Sequence, residues 1–134
     1  MLWARALADV LVAVHVAYVG FVVIGMAAIA LGLVLRWRWV RSFSFRVAHL
    51  AAISVVAGES IAGIPCPLTT WERALRVQSG QHAIEGDFIA TWAHRLIFFQ
   101  AEPWVFTILY ASFGALVFFV FVIAPPRRPV WRMR

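Results

Sequence analysis

Long apolar runs alternate with short basic or proline-marked breaks along this chain, and their lengths set the elements. The first, "LVAVHVAYVGFVVIGMAAIALGLVL", holds no Asp, Glu, Lys or Arg and exceeds the roughly 20 residues that cross about 30 Å of hydrocarbon. It predicts a membrane-spanning helix over residues 7–35. Arg5 ahead of it gives the start a signal-peptide look, but an h-region has only about 7–15 residues, so the segment reads as a retained span. "RWRWVRSFSFR" then supplies Arg36, Arg38, Arg41 and Arg46 with Trp37 and Trp39 among them, a short interfacial connection with an aromatic anchor. The face that this loop occupies is called side B, and the opposite face side A. A second span over residues 45–62 returns to side A and stops at "GIPCP", where Pro65 and Pro67 cannot continue a helix.

The next apolar stretch, "DFIATWAHRLIFFQ" over residues 87–100, is short for a crossing at about 1.5 Å per residue, and reads as a tilted span or a re-entrant helix. Pro103 suits the first turn of a last span over residues 103–124, which a basic tail, 125–134, follows. Short connections join antiparallel neighbours, which favours four crossings. The expected fold is therefore all-α, an integral membrane four-helix bundle, with a short interfacial amphipathic helix over residues 70–79 between helices two and three. Orientation follows the crossing number. With four crossings, side A holds Arg5, Arg73, Arg76 and the tail arginines 127, 128, 132 and 134 against four on side B, and would be cytoplasmic. With three, the tail moves to side B and the sign reverses.

Composition agrees with a membrane. Of 134 residues, 63% are hydrophobic and 13% charged, whereas soluble domains are about 45–50% apolar. The net charge of +6 lies in arginine, with no lysine at all. The arginines flank apolar runs, which marks span edges and headgroup contact and argues against a nucleic-acid partner. A single cysteine excludes an intrachain disulfide and any CxxC site.

Between the second and third spans lies "IPCPLTTWERALR". Thr69 followed three residues later by Glu72 has the form of a capping box. Trp71, Ala74, Leu75 and Gln78 share a face at i, i+3, i+4 and i+7, as in an interfacial helix. Glu72 and Arg76 are a favourable i, i+4 pair, and Gly80 can close the helix. A plain helix start thus accounts for Pro65, Pro67, Thr69, Glu72, Arg76 and Gly80, but not for Cys66 or for the polar groups inside the spans.

Ionisable side chains in hydrocarbon cost about 2.5–3.5 kcal/mol each and so face a partner, a cavity or a ligand. Counted from side A, His15 lies about 6 Å deep, Glu59 about 5 Å and His94 about 9 Å. His49 lies near side B. The expected site is a pocket of His15, Glu59 and His94, roofed by Cys66, Glu72 and Arg76 with Thr69 nearby. Such a pocket has several readings. His15 and His94 could be axial ligands of haem b, and a quinone headgroup could bond the same histidines and Glu59. His15, His94, Glu59 and Cys66 have metal-ligand types but no local metal motif. A nucleophilic Cys66 near Arg73 or Arg76 is a further alternative. No P-loop, GxSxG, HExxH or repeat is present.

"LADVLVAVHVAYVGFVVIG", "AHLAAISVVAGESIAGIPCPLTTWERALRVQSG" and "EGDFIATW" together resemble the bacterial family known as domain of unknown function 2784. The resemblance picks out His15, His49, Glu59, Cys66, Pro67, Leu68, Thr69, Glu72, Leu75, Arg76, Gly80, Gly86 and Phe88. It implies a small multi-pass protein of the bacterial inner membrane, and brings no activity with it. The expected function is an accessory or scaffold subunit of a larger membrane assembly, with membrane lipids and other membrane subunits as partners. Second comes a redox protein holding haem b or quinone through His15, His94 and Glu59, and third a membrane enzyme using Cys66.

Overall fold

The computed structural model describes residues 2–82, 88–97 and 101–127. Gly86, Asp87, Gln100, the side chain of Phe88 and the tail beyond Arg127 lie outside the described residues. The described chain is helical: α1 (Leu2–Val34), α2 (Phe43–Ala62), α3 (Pro67–Gln78), α4 (Phe88–Ile97) and α5 (Pro103–Ile123), with a 3-10 turn at Trp39–Arg41 before α2.

The 33 residues of α1 contain no proline and no charge between Asp9 and Arg36, so nothing interrupts its hydrogen-bond ladder until "RWRW". There Arg36 turns left-handed at φ 58°, and the Trp37 amide donates to the Gly32 carbonyl at 2.7 Å. The buried residues of α1 are Ala4, Ala8, His15, Val22, Gly25, Ile29 and Gly32. With half-buried Leu11 and Tyr18, they step alternately by four and three positions, one heptad seam along the whole helix. All-round apolarity hides this seam in the sequence.

Cross-helix hydrogen bonds fix the directions. Tyr18 donates to the Ala52 carbonyl at 2.6 Å and His49 to Val22 at 2.8 Å, so α1 and α2 are antiparallel. Ser60 donates to Thr107 at 3.2 Å, while Arg46 reaches the other end of α5 at Val120 and Ala124. Hence α2 and α5 are antiparallel too. Val22, Ile53 and Val117, one from each of α1, α2 and α5, make the shared core, with Tyr18, Met26, Leu50, Val56 and Phe113 against it.

This arrangement bears on the expected crossing number. The end of α2 and the start of α5 lie together at side A, so residues 63–102 leave from that end and return to it. In this segment α4 has ten residues, about 15 Å at the usual rise. Among the described residues three helices, α1, α2 and α5, are long and apolar enough to cross a membrane. The described part of the third expected span, α4, is not one of them. Residues 124–127, after α5, lie at side B, where the Arg127 amide donates to the Arg41 carbonyl at 2.9 Å.

The helix expected over 70–79 also differs. Pro67 sits at its first position and Cys66 at the N-cap, because proline's fixed φ suits the first turn. Thr69 is therefore inside the helix rather than capping it, and the expected capping box is absent. The C-terminal expectation holds: Gly80 has φ +74°, with Gly80 donating to Val77 at 3.0 Å and Gln81 to Arg76 at 2.9 Å, the paired bonds of a Schellman end.

Candidate polar site between α1 and α3

Two contacts give α3 its register. Arg5 donates to the Ser79 carbonyl at 3.5 Å, and Arg76 meets Asp9 at 3.4 Å. As α1 advances by four residues α3 retreats by three, so α3 runs antiparallel along the N-terminal half of α1, on which it chiefly packs. Ala4 and Ala8 are fully buried there, and small side chains let two helices approach closely.

The face that α3 turns inward carries much of its polarity. Thr69 and Ser79 are buried and Glu72 and Arg76 half-buried, as are Leu68 and Leu75, whereas Trp71 is 59% and Val77 62% exposed. Of the expected apolar face, Trp71, Ala74 and Gln78 are exposed and Leu75 half-buried. A helix beside lipid gains by presenting tryptophan and valine to the apolar surroundings while pairing its polar groups inside.

Arg76 organises this seam. Its Nε donates to Glu72 at 2.7 Å, Nη1 to Gln81 Oε1 at 3.2 Å and Nη2 to Asp9 at 3.4 Å. The hydrogen bond to Glu72 pushes the Arg76 pKa above its ordinary value; the charges of Glu72 and Asp9 add to this, and burial works the other way. Ser79 donates its hydroxyl to the Arg76 carbonyl at 2.8 Å, tying the end of α3 to the same group.

One turn beyond buried His15 on the seam, the Tyr18 hydroxyl lies in range of the charges of Glu59 and Cys66. Glu59 is half-buried in the last turn of α2, and its carbonyl accepts from the Ile64 amide at 2.9 Å. Cys66 is a half-buried thiol in no disulfide. Carrying the register of Asp9 and Arg76 along α3 brings Thr69 level with His15.

Glu59 and Cys66 both lie where α2 gives way to α3, and Tyr18 is within electrostatic reach of both. Arg76 is ten residues past Cys66, about 15 Å along the helix, and pairs with Glu72 and Asp9. His94 lies on α4 with an exposed side chain, unlike buried His15. Among the described residues no group of three or more His, Cys, Asp or Glu side chains could hold a metal ion.

A second polar site, nearer side B, centres on His49, which is 0% exposed. Its Nε2 donates to the Val22 carbonyl at 2.8 Å, since a carbonyl only accepts. Phe21 crosses the imidazole edge-on at 5.7 Å and Phe45 stacks on it at 6.2 Å. Gly25 leaves the room: a Cβ there would stand 2.7 Å from His49 Cδ2. Three residues before His49, Arg46 is only 3% exposed. Its Nη2 donates to the carbonyls of Val120 at 2.9 Å and Ala124 at 3.0 Å, and its guanidinium carbon lies 5.6 Å from the centre of the Phe121 ring. It thus cross-braces α2 to the last turn of α5, where the helix dipole favours a cation.

Tyr18, Asp9 and Arg46 are absent from the sequence-based pocket. Asp9 lies at the edge of the apolar run, Arg46 sits among interfacial arginines, and a tyrosine within a span carries no formal charge to mark it. Depth places His49 near side B, apart from the expected pocket.

No curated protein and no solved structure matches the chain. The pattern of polar residues that the helices bring together, from Arg5 on α1 to the end of α5, lies within residues 5–126, all of which match one family model, and the chain accordingly belongs to the family described as Protein of Unknown function (DUF2784).

Proposed function

We propose that this chain is an accessory or scaffold subunit of a larger assembly in the bacterial inner membrane, crossing three times with side B in the cytoplasm. The observation that carries the reading is an unused seam of small residues on α2. Ser44, Ala48, Ala51, Val55, Gly58 and Ala62 follow one another at alternating steps of four and three, and all six are exposed. Lipid solvates a large side chain as readily as a small one, so a narrow surface on a spanning helix suits the close approach of another helix. The glycines separate the two uses. Gly25, Gly32 and Gly114 face His49, Val40 and Ala57 within the chain, whereas a Cβ at Gly58 would meet nothing within 4 Å. The apolar stretches of α1, α2 and α5 are buried over only 22%, 17% and 11% of their residues, which leaves this seam open to a helix of another subunit.

Extraction in mild detergent tests the proposal. The wild-type chain is expected to migrate with other membrane proteins, and Gly58→Leu to release it while the helical content stays unchanged. A wild-type chain that runs as a lone monomer, or as a dimer of itself, would overturn the reading.

The orientation follows from arginine counting over three crossings. Arg36, Arg38, Arg41, Arg46 and Arg127 lie at side B, and Arg128, Arg132 and Arg134 follow in sequence, against Arg5, Arg73, Arg76 and Arg95 in the parts that belong to side A. Eight against four favours a cytoplasmic side B. In a Cys66→Ser background, Gln78→Cys should be labelled in intact cells by a membrane-impermeant maleimide, and Arg38→Cys only after lysis. The reverse pattern would invert the orientation.

A further inference from the structure

The chain's six acidic residues are Asp9, Glu59, Glu72, Glu85, Asp87 and Glu102, and none falls between positions 10 and 58 or after 102. Among the described residues, the end of the fold formed by the α1–α2 connection and the C-terminus of α5 therefore holds arginines and no Asp or Glu. At the opposite end Arg76 is matched by both Glu72 and Asp9. Here a cation has only helix carbonyls and an aromatic ring to face.

The local geometry concentrates that charge. Arg46 is fixed beneath the last turn of α5 by its two carbonyl bonds. Arg41 lies close enough for its charge to act on Arg46, and its Nε is enclosed with no hydrogen-bond partner among the described residues. Backbone pairing brings in a third arginine: the Arg127 amide donates to the Arg41 carbonyl at 2.9 Å, and Arg127 bridges to Ser42. Like charges held this close repel unless an anion enters between them. The planar guanidinium fork matches two oxygens of a phosphate, and arginine is the residue best suited to that pairing.

Position decides the source of the phosphate. The cluster sits where two apolar helices end, beside exposed Trp37, Trp39 and Phe43, the aromatic belt of a membrane–water boundary. Val122 and Ile123 in the last turn of α5 are also exposed, as are Phe118 and Phe119 one turn deeper, which offers an apolar wall to an acyl chain. We propose that Arg41, Arg46 and Arg127 form a binding site for the phosphate of an anionic phospholipid, whose acyl chain lies along the C-terminal half of α5. This site is independent of the α2 seam, so either can fail without the other.

Native mass spectrometry of the full chain in mild detergent, with added phosphatidylglycerol, phosphatidylcholine or inorganic phosphate, tests it. The wild type is expected to retain phosphatidylglycerol about tenfold more than phosphatidylcholine, in line with the attraction of several arginines near a charged surface. Arg41→Gln with Arg127→Gln should remove most of that preference, whereas Arg36→Gln with Arg38→Gln should leave most of it. Equal retention of the two lipids would overturn the site. So would equal losses from the two double variants, which would indicate surface charge alone. Binding of inorganic phosphate alone, or its displacement of the lipid at equal concentration, would assign the cluster to a free anion instead. Should the Arg41 variant fail to fold, the comparison of the three ligands on the wild type still decides.

Discussion

Alanine at Gly25 is expected to destabilise the protein, although alanine in a helix normally gains about 1 kcal/mol over glycine. The added methyl would stand 2.7 Å from Cδ2 and 3.0 Å from Nε2 of His49. His49 has little freedom to yield: it is fully buried, bonded to Val22 and set between Phe21 and Phe45. Overpacking of this kind costs about 1–3 kcal/mol, so after the helix preference is subtracted the net loss should be up to about 2 kcal/mol in unfolding followed by tryptophan fluorescence in detergent micelles. His49→Ala alone should lose about 2–3 kcal/mol through the vacated volume and the missing hydrogen bond. The two changes together should cost less than their sum, because the methyl then occupies space left by the ring. Gly58→Ala is the control and should be neutral or stabilising, as nothing lies within 4 Å of its added carbon. A Gly25→Ala protein at least as stable as the parent would show that α1 and α2 do not pack through His49.

Arg46→Ala should free the C-terminal end of α5. The change removes both bonds to the Val120 and Ala124 carbonyls and the contact with Phe121. Hydrogen bonds from a charged group contribute about 1.5–3 kcal/mol, and leaving a buried acceptor unpaired adds to the loss; a total of about 2–4 kcal/mol is expected. Hydrogen exchange should report it locally, with faster exchange in the last two turns of α5 and little change in α1 and α3. Arg46→Lys should be intermediate, since an ammonium keeps the charge at the helix terminus but loses the guanidinium's planar fork. Unaltered exchange in α5 would mean that the apolar contact with α2 alone holds it.

The same two residues show where the sequence is legible. Arg46 reads as one of four arginines in an interfacial connection, and nothing nearby in sequence indicates that it reaches a helix end more than 70 positions away. Gly25 reads as one of many small residues suited to helix packing; that its space belongs to an imidazole depends on the α1–α2 register. The α3 face is instructive in another way. Its apolar positions were identifiable from spacing, but their direction was not, because in lipid an apolar face turns outward as readily as inward.

The sequence by itself determined that the chain is helical, that it has stretches long and apolar enough to cross a membrane, that Gly80 ends α3, and to which family it belongs. Length, hydropathy and backbone stereochemistry are local properties, so they survive without knowledge of neighbours. Only the tertiary structure decided that residues 63–102 leave and return at one end, that Arg76 turns to Asp9 as well as to Glu72, and that His49 and Arg46 join α2 to the helices on either side. Those outcomes depend on register between helices whose surfaces are apolar all round. In such helices few polar groups mark a direction, and the pairings become visible only when donors and acceptors from distant parts of the chain are placed side by side.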